Sequence, residues 1–248
     1  MSDRRVVRRA RPLLGTLVEI GATEIAGASL QATADAVDAA FARIAAQQER
    51  LSRFVAASDI GRFNAAPACA CIDVGADART VLAAAAELRD ASEDAFDITL
   101  GSGPRGWRLD ERGLHKLADG VRLDLGGIAK GHAVDCAVAA LESRGVDAGW
   151  VNAGGDLRAF GELALPIELR DEASGGVRRF ATLEDGAFAT SRREGPDGAS
   201  RHASVAAERC LWADALTKVV VATGNASHPL LERFGARGWL HSSPIGSA

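Results

Sequence analysis

Two glycine-rich segments, each beside an aspartate, constrain this chain more than any other feature: Asp124-Leu-Gly-Gly-Ile-Ala-Lys-Gly131 and Asn152-Ala-Gly-Gly-Asp156. In the first, the apolar run Val121 to Leu125 reads as a short buried strand entering a glycine turn, and a helix over Gly131 to Ser143 follows, ended by Gly145. Such a junction offers backbone N–H groups, a helix N-terminus and the adjacent Lys130 to an anion, which is how many proteins hold phosphate. The spacing is not that of a P-loop, since no Ser or Thr follows Lys130, and it is not the dinucleotide fingerprint either. On residues alone an anion site and a plain tight turn both remain open. The second segment follows the strand Trp150-Val151. If the two strands are neighbours, the turns form one cleft suited to a dinucleotide.

Periodicity places the other elements. Val6 to Ile20 reads as strand material broken at Pro12 and Gly15. Helical spacing of Ala32, Ala36, Ala39, Ala40, Ile44 and Leu51 predicts a long helix over Ala26 to Leu51, and an alanine-rich helix is expected over Asp77 to Arg89. Asp90 to Gly120 reads as loop. Beyond Gly149 strands dominate, at Leu157 to Phe160, Leu165 to Leu169, Arg178 to Leu183 and Phe188-Ala189, with a polar stretch at Arg192 to Arg201. Helices return over Ala213 to Ala222 and Pro229 to Phe234, separated by Gly224-Asn225. Helices mixed with largely antiparallel strands give an α+β (mixed α/β) class without the alternation of a doubly wound sheet.

At 248 residues, 47% apolar and 25% charged, the chain can bury one sizeable core or two smaller ones. A net charge of −4 without a dense basic stripe argues against nucleic acid as a partner. The basic cluster from Arg4 to Arg11 lacks the apolar stretch of roughly 7–15 residues that a signal peptide needs, and no run reaches the roughly 20 apolar residues of a membrane helix. Cys69, Cys71, Cys136 and Cys210 are too scattered for a disulfide framework, and Cys69-Ala-Cys71 has the wrong spacing for a zinc knuckle. A cytoplasmic protein is expected.

Two further segments carry polar groups. Ala95-Phe-Asp-Ile-Thr99 sets an aromatic residue beside an acid. In Ala213-Asp-Ala-Leu-Thr217, Asp214 and Thr217 share a helix face, as ligands of a hard cation or as a cap and its hydroxyl partner. In order, Leu14-Gly-Thr16, Leu51-Ser-Arg-Phe54, Ser58-Asp-Ile-Gly-Arg-Phe-Asn64, Ala95-Phe-Asp97, Leu123 to Asp135, Val151-Asn-Ala-Gly-Gly-Asp156, Ala189-Thr-Ser191 and Ala213-Asp-Ala-Leu-Thr217 cover most of the chain. This ordered set resembles the FAD:protein FMN transferase family, the ApbE-like flavin transferases.

The resemblance implies one FAD-binding domain over residues 1–248, with mixed, largely antiparallel sheets flanked by helices. It implies Mg²⁺-dependent transfer of FMN from FAD to a threonine of an acceptor flavoprotein subunit, with release of AMP. Leu14 stands where the family has a methionine lining the flavin site, and Phe54 where an aromatic residue contacts FAD. Ala95, Phe96 and Asp97 match the adenine end, and Asp124 and Lys130 match FAD contacts in the glycine turn. Gly127, through its carbonyl, and Asp214 match Mg²⁺ ligands, with Thr217 as the hydroxyl.

The family is typically exported and often lipid-anchored, whereas neither a signal segment nor a lipobox-like cysteine is read near this start, and the chain departs from the family pattern in its site segments as well. The family's metal-site hydroxyl lies four residues after the aspartate, where this chain has Lys218, and Thr217 comes one residue earlier. Between Ser191 and Asp214 the family carries a loop with a histidine and an Asp-Pro pair; here Arg192 to Arg209 contains His202, the candidate catalytic base. The stretch from Asp97 to Asp124 is short, which reshapes the acceptor-docking side. His132 is expected at a helix start, facing solvent or phosphate. Two other activities stay open: a pyrophosphatase splitting FAD to FMN and AMP, and an FAD-binding relative with weak catalysis.

Overall fold

The computed structural model describes residues 5–170, 176–194 and 200–241. In chain order the elements are β1 (Val6–Leu13), β2 (Thr16–Thr23), α1 (Leu30–Leu51), α2 (Asp59–Ala65), β3 (Cys71–Ile72), α3 (Ala76–Ala91), β4 (Trp107–Asp110), β5 (Gly113–Lys116), α4 (Ala129–Glu142), β6 (Gly149–Ala153), β7 (Asp156–Arg170), β8 (Val177–Glu194), β9 (Ser200–Ala207), α5 (Cys210–Thr223), α6 (Pro229–Arg233) and β10 (Arg237–His241). The strands form a seven-stranded sheet in the order β1-β2-β6-β7-β8-β9-β10 and a three-stranded sheet in the order β3-β5-β4. Every pairing among them is antiparallel, as expected of the α+β class.

Helices α1 and α4 cover one half of the large sheet. Val37, Ala40, Phe41 and Ile44 of α1 and Val134, Ala137, Val138 and Leu141 of α4 pack on Val18, Ile20 and Val151. Ser29 starts α1 by accepting the Ala32 N–H at 3.2 Å, so the helix begins later than the apolar spacing suggested. Helix α5 covers β8 and β9 through Leu216, Val219 and Val220 against Ala203 and Val205, in a core shared with α2 and α3. It ends at Gly224, which takes the left-handed φ of 65° that closes many helices. Phe180, Phe188 and Trp239 pack on the outer face of the sheet.

Two local expectations are corrected, the strand at Val121 to Leu125 and the loop at Asp90 to Gly120, and two further segments gain a structure. Val121 to Leu125 is extended but is not a strand: the Leu123 N–H donates to Asn64 Oδ1 at 2.7 Å and its carbonyl accepts from Asn64 Nδ2 at 2.9 Å. A side-chain amide replaces the neighbouring strand. The segment Ser58 to Asn64 is helix α2 in all but its capping serine, whose Oγ accepts the Gly61 N–H at 2.8 Å. The stretch read as loop holds the hairpin β4-β5, and its alternating pattern was too short to register. In the polar stretch Arg192 to Arg201, residues 192–194 end β8 and residues 200–201 begin β9; residues 195–199 lie outside the described residues, as does Arg4 of the basic cluster. The described arginines of that cluster are paired, Arg5 with Glu24, Arg8 with Glu19, and Arg9 and Arg11 with Asp38.

Candidate active site

The two glycine segments do meet, though not as parallel strand-to-helix turns. Gly154 and Gly155 form the two-residue turn of the hairpin β6-β7, with φ values of 66° and 99° that suit glycine. A Cβ on Gly154 would stand 2.4 Å from Thr16 Oγ1, so this turn lies against the hairpin tip Leu14-Gly15. Asp156, 1% exposed, begins β7 and pairs with Lys130 in the first turn of α4. Burial pushes the pKa of Asp156 up, and the nearby Asp214 carboxylate adds to the rise, against the pull of Lys130 and Lys218. Burial opposes the Lys130 charge, yet Asp214 and Asp156 outweigh it and raise its pKa.

The first glycine turn is shaped by Asp124. Its Oδ1 accepts the Gly126 N–H at 2.8 Å, and its Oδ2 pairs with Arg53 Nε at 2.9 Å. Helix α4 starts without a side-chain cap on Ile128; the Gly131 N–H donates instead to Asp214 Oδ2 at 3.1 Å, across from α5. A carboxylate at that end also complements the helix dipole. The two helices come this close because position 131 has no side chain: a Cβ there would stand 2.2 Å from the Cys210 carbonyl oxygen. Asp135 of α4 in turn accepts the Cys210 and Leu211 N–H groups at 2.9 and 3.0 Å and pairs with Arg158 at 2.9 Å. It thereby caps α5, whose own N-cap residue Arg209 gives no side-chain bond.

Asp214 is fully buried. One turn along α5, the Lys218 ammonium donates to Asp214 Oδ1, to Ser191 Oγ at 2.7 Å and to Thr217 Oγ1 at 3.1 Å. The Thr217 hydroxyl lies 2.7 Å from the Asp214 carbonyl and 2.8 Å from Ser191 Oγ. A Cβ on Gly127 would be 3.4 Å from Lys218 Cγ and Cε, so the lysine stem runs along the glycine turn. The structure thus brings Gly127, Asp214 and Thr217 together, with the Lys218 ammonium bonded to Asp214 and Thr217 and its stem beside Gly127. A divalent cation needs several oxygens free of competing positive charge. Here Lys218 is bonded to Asp214 and Lys130 acts on it electrostatically, so the residues present do not fit Mg²⁺.

Two cavities flank the turn and share Asp124 and Gly126. One, of about 420 Å³, is lined by Leu14, Gln48, Leu51, Phe54, Ala129 and Lys130. Phe54 is 82% exposed, with the Arg53 guanidinium 4.4 Å from its ring centre. Leu14 holds a φ of 55°, unusual for a leucine, and donates its N–H to Gln48 Oε1 at 2.5 Å. The other, of about 250 Å³, is lined by Ala95, Phe96, Asp97, Gly127, Ser191 and Lys218, with Arg192 and Arg193 also on its wall. Asp97 shapes its own loop by accepting from the Thr99 N–H at 2.7 Å, the Thr99 hydroxyl at 2.9 Å and the Gly101 N–H at 2.8 Å.

His202 is not brought to this site. It pairs in register with Arg192 on β8, whereas the neighbouring pair Ser191 and Ala203 faces α5, and strand alternation puts His202 on the opposite face of the sheet. There it packs on His241, ring centres 4.7 Å apart, and lines a third cavity with Trp150, Phe188 and Thr190. His132 is also corrected: it is 5% exposed, with Nε2 3.4 Å from Asp77 Oδ1 and 3.4 Å from Cys136 Sγ. Asp156, Asp135 and Ser191 were missed as site residues. Asp135, Asp156 and Ser191 each close a matched segment, so each carried a signal.

Similarity to known proteins follows the same outline. The chain superimposes on the flavin transferase ApbE of Vibrio cholerae with a TM-score of 0.80 at 20% identity, covering 96% of this chain and 93% of that one. For the apo flavinyl transferase ApbE of Pseudomonas stutzeri the TM-score is 0.79 at 21% identity, over 97% and 93% of the two chains. For the ApbE protein of Thermotoga maritima it is 0.78 at 22% identity, over 97% of each. No protein of curated function matches the sequence significantly. The ApbE family pattern matches residues 14–113 and 103–195, so it extends over most of the chain and stops short of α5; the chain belongs to the ApbE family.

Proposed function

We propose that this protein transfers FMN from FAD to a threonine of an acceptor flavoprotein and releases AMP, the whole chain 1–248 working as one domain. The observation that carries the reading is the pair of cavities joined at Asp124 and Gly126. FAD is two ring systems linked through a diphosphate, and this layout offers a place to each part. The flavin lies by Leu14 and Phe54, the adenine by Ala95, Phe96 and Asp97, and the diphosphate over the glycine turn with Asp124 and Lys130 at its sides. Membership of the ApbE family supports the same reading, as does the name flavin transferase carried by two of the structures that share the fold.

In the proposed step the threonine oxygen attacks the phosphorus on the flavin side. The bond from that phosphorus to the bridging oxygen breaks, AMP leaves with the bridging oxygen, and the hydroxyl proton passes to the departing phosphate or to water. The chain's own groups hold the diphosphate and offset its charge through positioned cations and dipoles. Mg²⁺ is given no part in the step, because two of its expected ligands, Asp214 and Thr217, are bonded to Lys218. A cytoplasmic setting belongs to the proposal and accords with four free cysteines. No helix among the described residues is long and apolar enough to cross a membrane.

The test is incubation of the purified protein with FAD, with and without an acceptor subunit bearing a target threonine, following AMP and covalent flavin together. Acceptor-dependent covalent flavin with AMP is the expected result. AMP with free FMN alone would establish a pyrophosphatase instead, and bound FAD without AMP a binding protein.

A further inference from the structure

We propose that the Lys218 ammonium is the resident cation of this site, standing where a divalent metal would otherwise be held, so that the protein binds the diphosphate of its nucleotide without a metal ion. This deepens the FAD reading and rests on it for the identity of the nucleotide. The juxtaposition that carries it is an ammonium nitrogen bonded to three oxygens from two elements: the Asp214 carboxylate and Thr217 hydroxyl of α5 and the Ser191 hydroxyl of β8. Those contacts match the three N–H donors of a lysine. The geometry is fixed from both sides, because Asp214 and Lys218 are one helical turn apart and the stem between them lies against Gly127.

Charge balance points the same way. Asp214 and Asp156 are buried at 0% and 1% exposure, and two negative charges there require compensation. Lys130 and Lys218 supply it, each bonded to one carboxylate. With Lys218 in place the charges of Asp214 and Asp156 are balanced, and a dication added beside Asp214 would face two ammonium groups already paired with those carboxylates. Without Lys218 the cluster would carry an uncompensated negative charge and a hole lined by a carboxylate, two hydroxyls and the backbone of Gly127, which is a donor set for a hard cation. The same lysine lines the cavity assigned to the adenine side of the turn, together with Arg193, which shares the sheet face of Ser191. A diphosphate over the adjoining turn meets protein cations, and the longest of the ammonium contacts, that to Thr217, is the one a phosphate oxygen would replace.

The experiment is a titration of the full chain with FAD, in EDTA and in excess Mg²⁺, alongside a titration with Mn²⁺ alone followed by electron paramagnetic resonance. The expected result is an FAD affinity that changes by less than about twofold between EDTA and Mg²⁺, with no Mn²⁺ bound at Asp214. Lys218→Thr should reverse both, losing at least about tenfold in FAD affinity in EDTA, regaining it with Mg²⁺, and binding Mn²⁺ in a way that adding Asp214→Asn abolishes. An unmodified protein that needs Mg²⁺ for FAD, or that binds Mn²⁺ in a manner abolished by Asp214→Asn, overturns the proposal. Both measurements on the unmodified protein stand if Lys218→Thr fails to fold. If FAD does not bind under any condition, the FAD reading falls, while Mn²⁺ binding still decides the place of Lys218.

Discussion

Lys130 and Asp156 form an ion pair that ties the start of α4 to the turn of the β6-β7 hairpin, and so joins the two glycine segments into one wall. Asp156 is 1% exposed while the Lys130 side chain is 31% exposed, so removing the acid strands a largely buried ammonium. Breaking such a pair from one side costs more than the pair contributes, because the remaining charge loses its partner in a low-dielectric setting. Asp156→Ala is expected to lower stability by about 3 kcal/mol, read from the denaturant midpoint. A change under about 0.5 kcal/mol would show that Lys130 finds another partner.

Gly131→Ala tests the close approach of α4 and α5. On helix propensity alone alanine stabilises a helix by about 1 kcal/mol over glycine. Here the added Cβ would stand 2.2 Å from the Cys210 carbonyl oxygen and 2.9 Å from Asp214 Cβ, both on an element that cannot move without breaking the Asp135 cap. Overpacking wins over propensity. The variant is expected to lose about 2 kcal/mol and to bind FAD more weakly, as Asp214 and Lys218 shift together. A variant more stable than the parent would mean that α5 yields.

Phe54→Ala separates binding from folding. The ring is 82% exposed and lines the larger of the two cavities that flank the glycine turn, so its removal should leave stability within about 0.5 kcal/mol. If the flavin stacks there, the loss of an aromatic contact should weaken FAD by about tenfold, measured by quenching of flavin fluorescence. An unchanged affinity would take Phe54 out of the flavin site.

The elements were most legible where a long periodic pattern met a clear stop, as in α1, or α5 before Gly224. The α+β class followed from the same reading. What the sequence did not reveal was structure held by side chains: the segment 121–125 resembles a strand in composition, yet its partner is the Asn64 amide. The candidate site was legible through the family resemblance, since Asp124, Lys130 and Asp214, which it implied as site residues, sit around one turn. Residue type alone points to His202, and in a strand one step of register decides which face it reaches. Lys218 stood in view as a departure four residues after Asp214. Its role needed the distances to Ser191 and Thr217.

A last prediction concerns acid. Asp77 begins α3 and accepts from Arg43 at 2.8 and 3.1 Å and from Gln47 at 2.8 Å. Burial alone would raise its pKa, but these bonds outweigh burial and hold it at about 2, below the usual 3.8. A carboxyl depressed in the folded state stabilises the fold fully above its unfolded pKa, and that contribution fades as pH falls toward the folded value. Stability should therefore drop by roughly 2 kcal/mol between about pH 4 and about pH 2 on account of this group. Asp38, Asp90 and Asp110 are also shifted down, but they lie at the surface, where solvent screens their pairs and their share is small. Asp77→Asn should be less stable than the parent at neutral pH and lose less on acidification, so that the two denaturation midpoints converge near about pH 2. Parallel acid limbs in the two proteins would assign the acid sensitivity elsewhere.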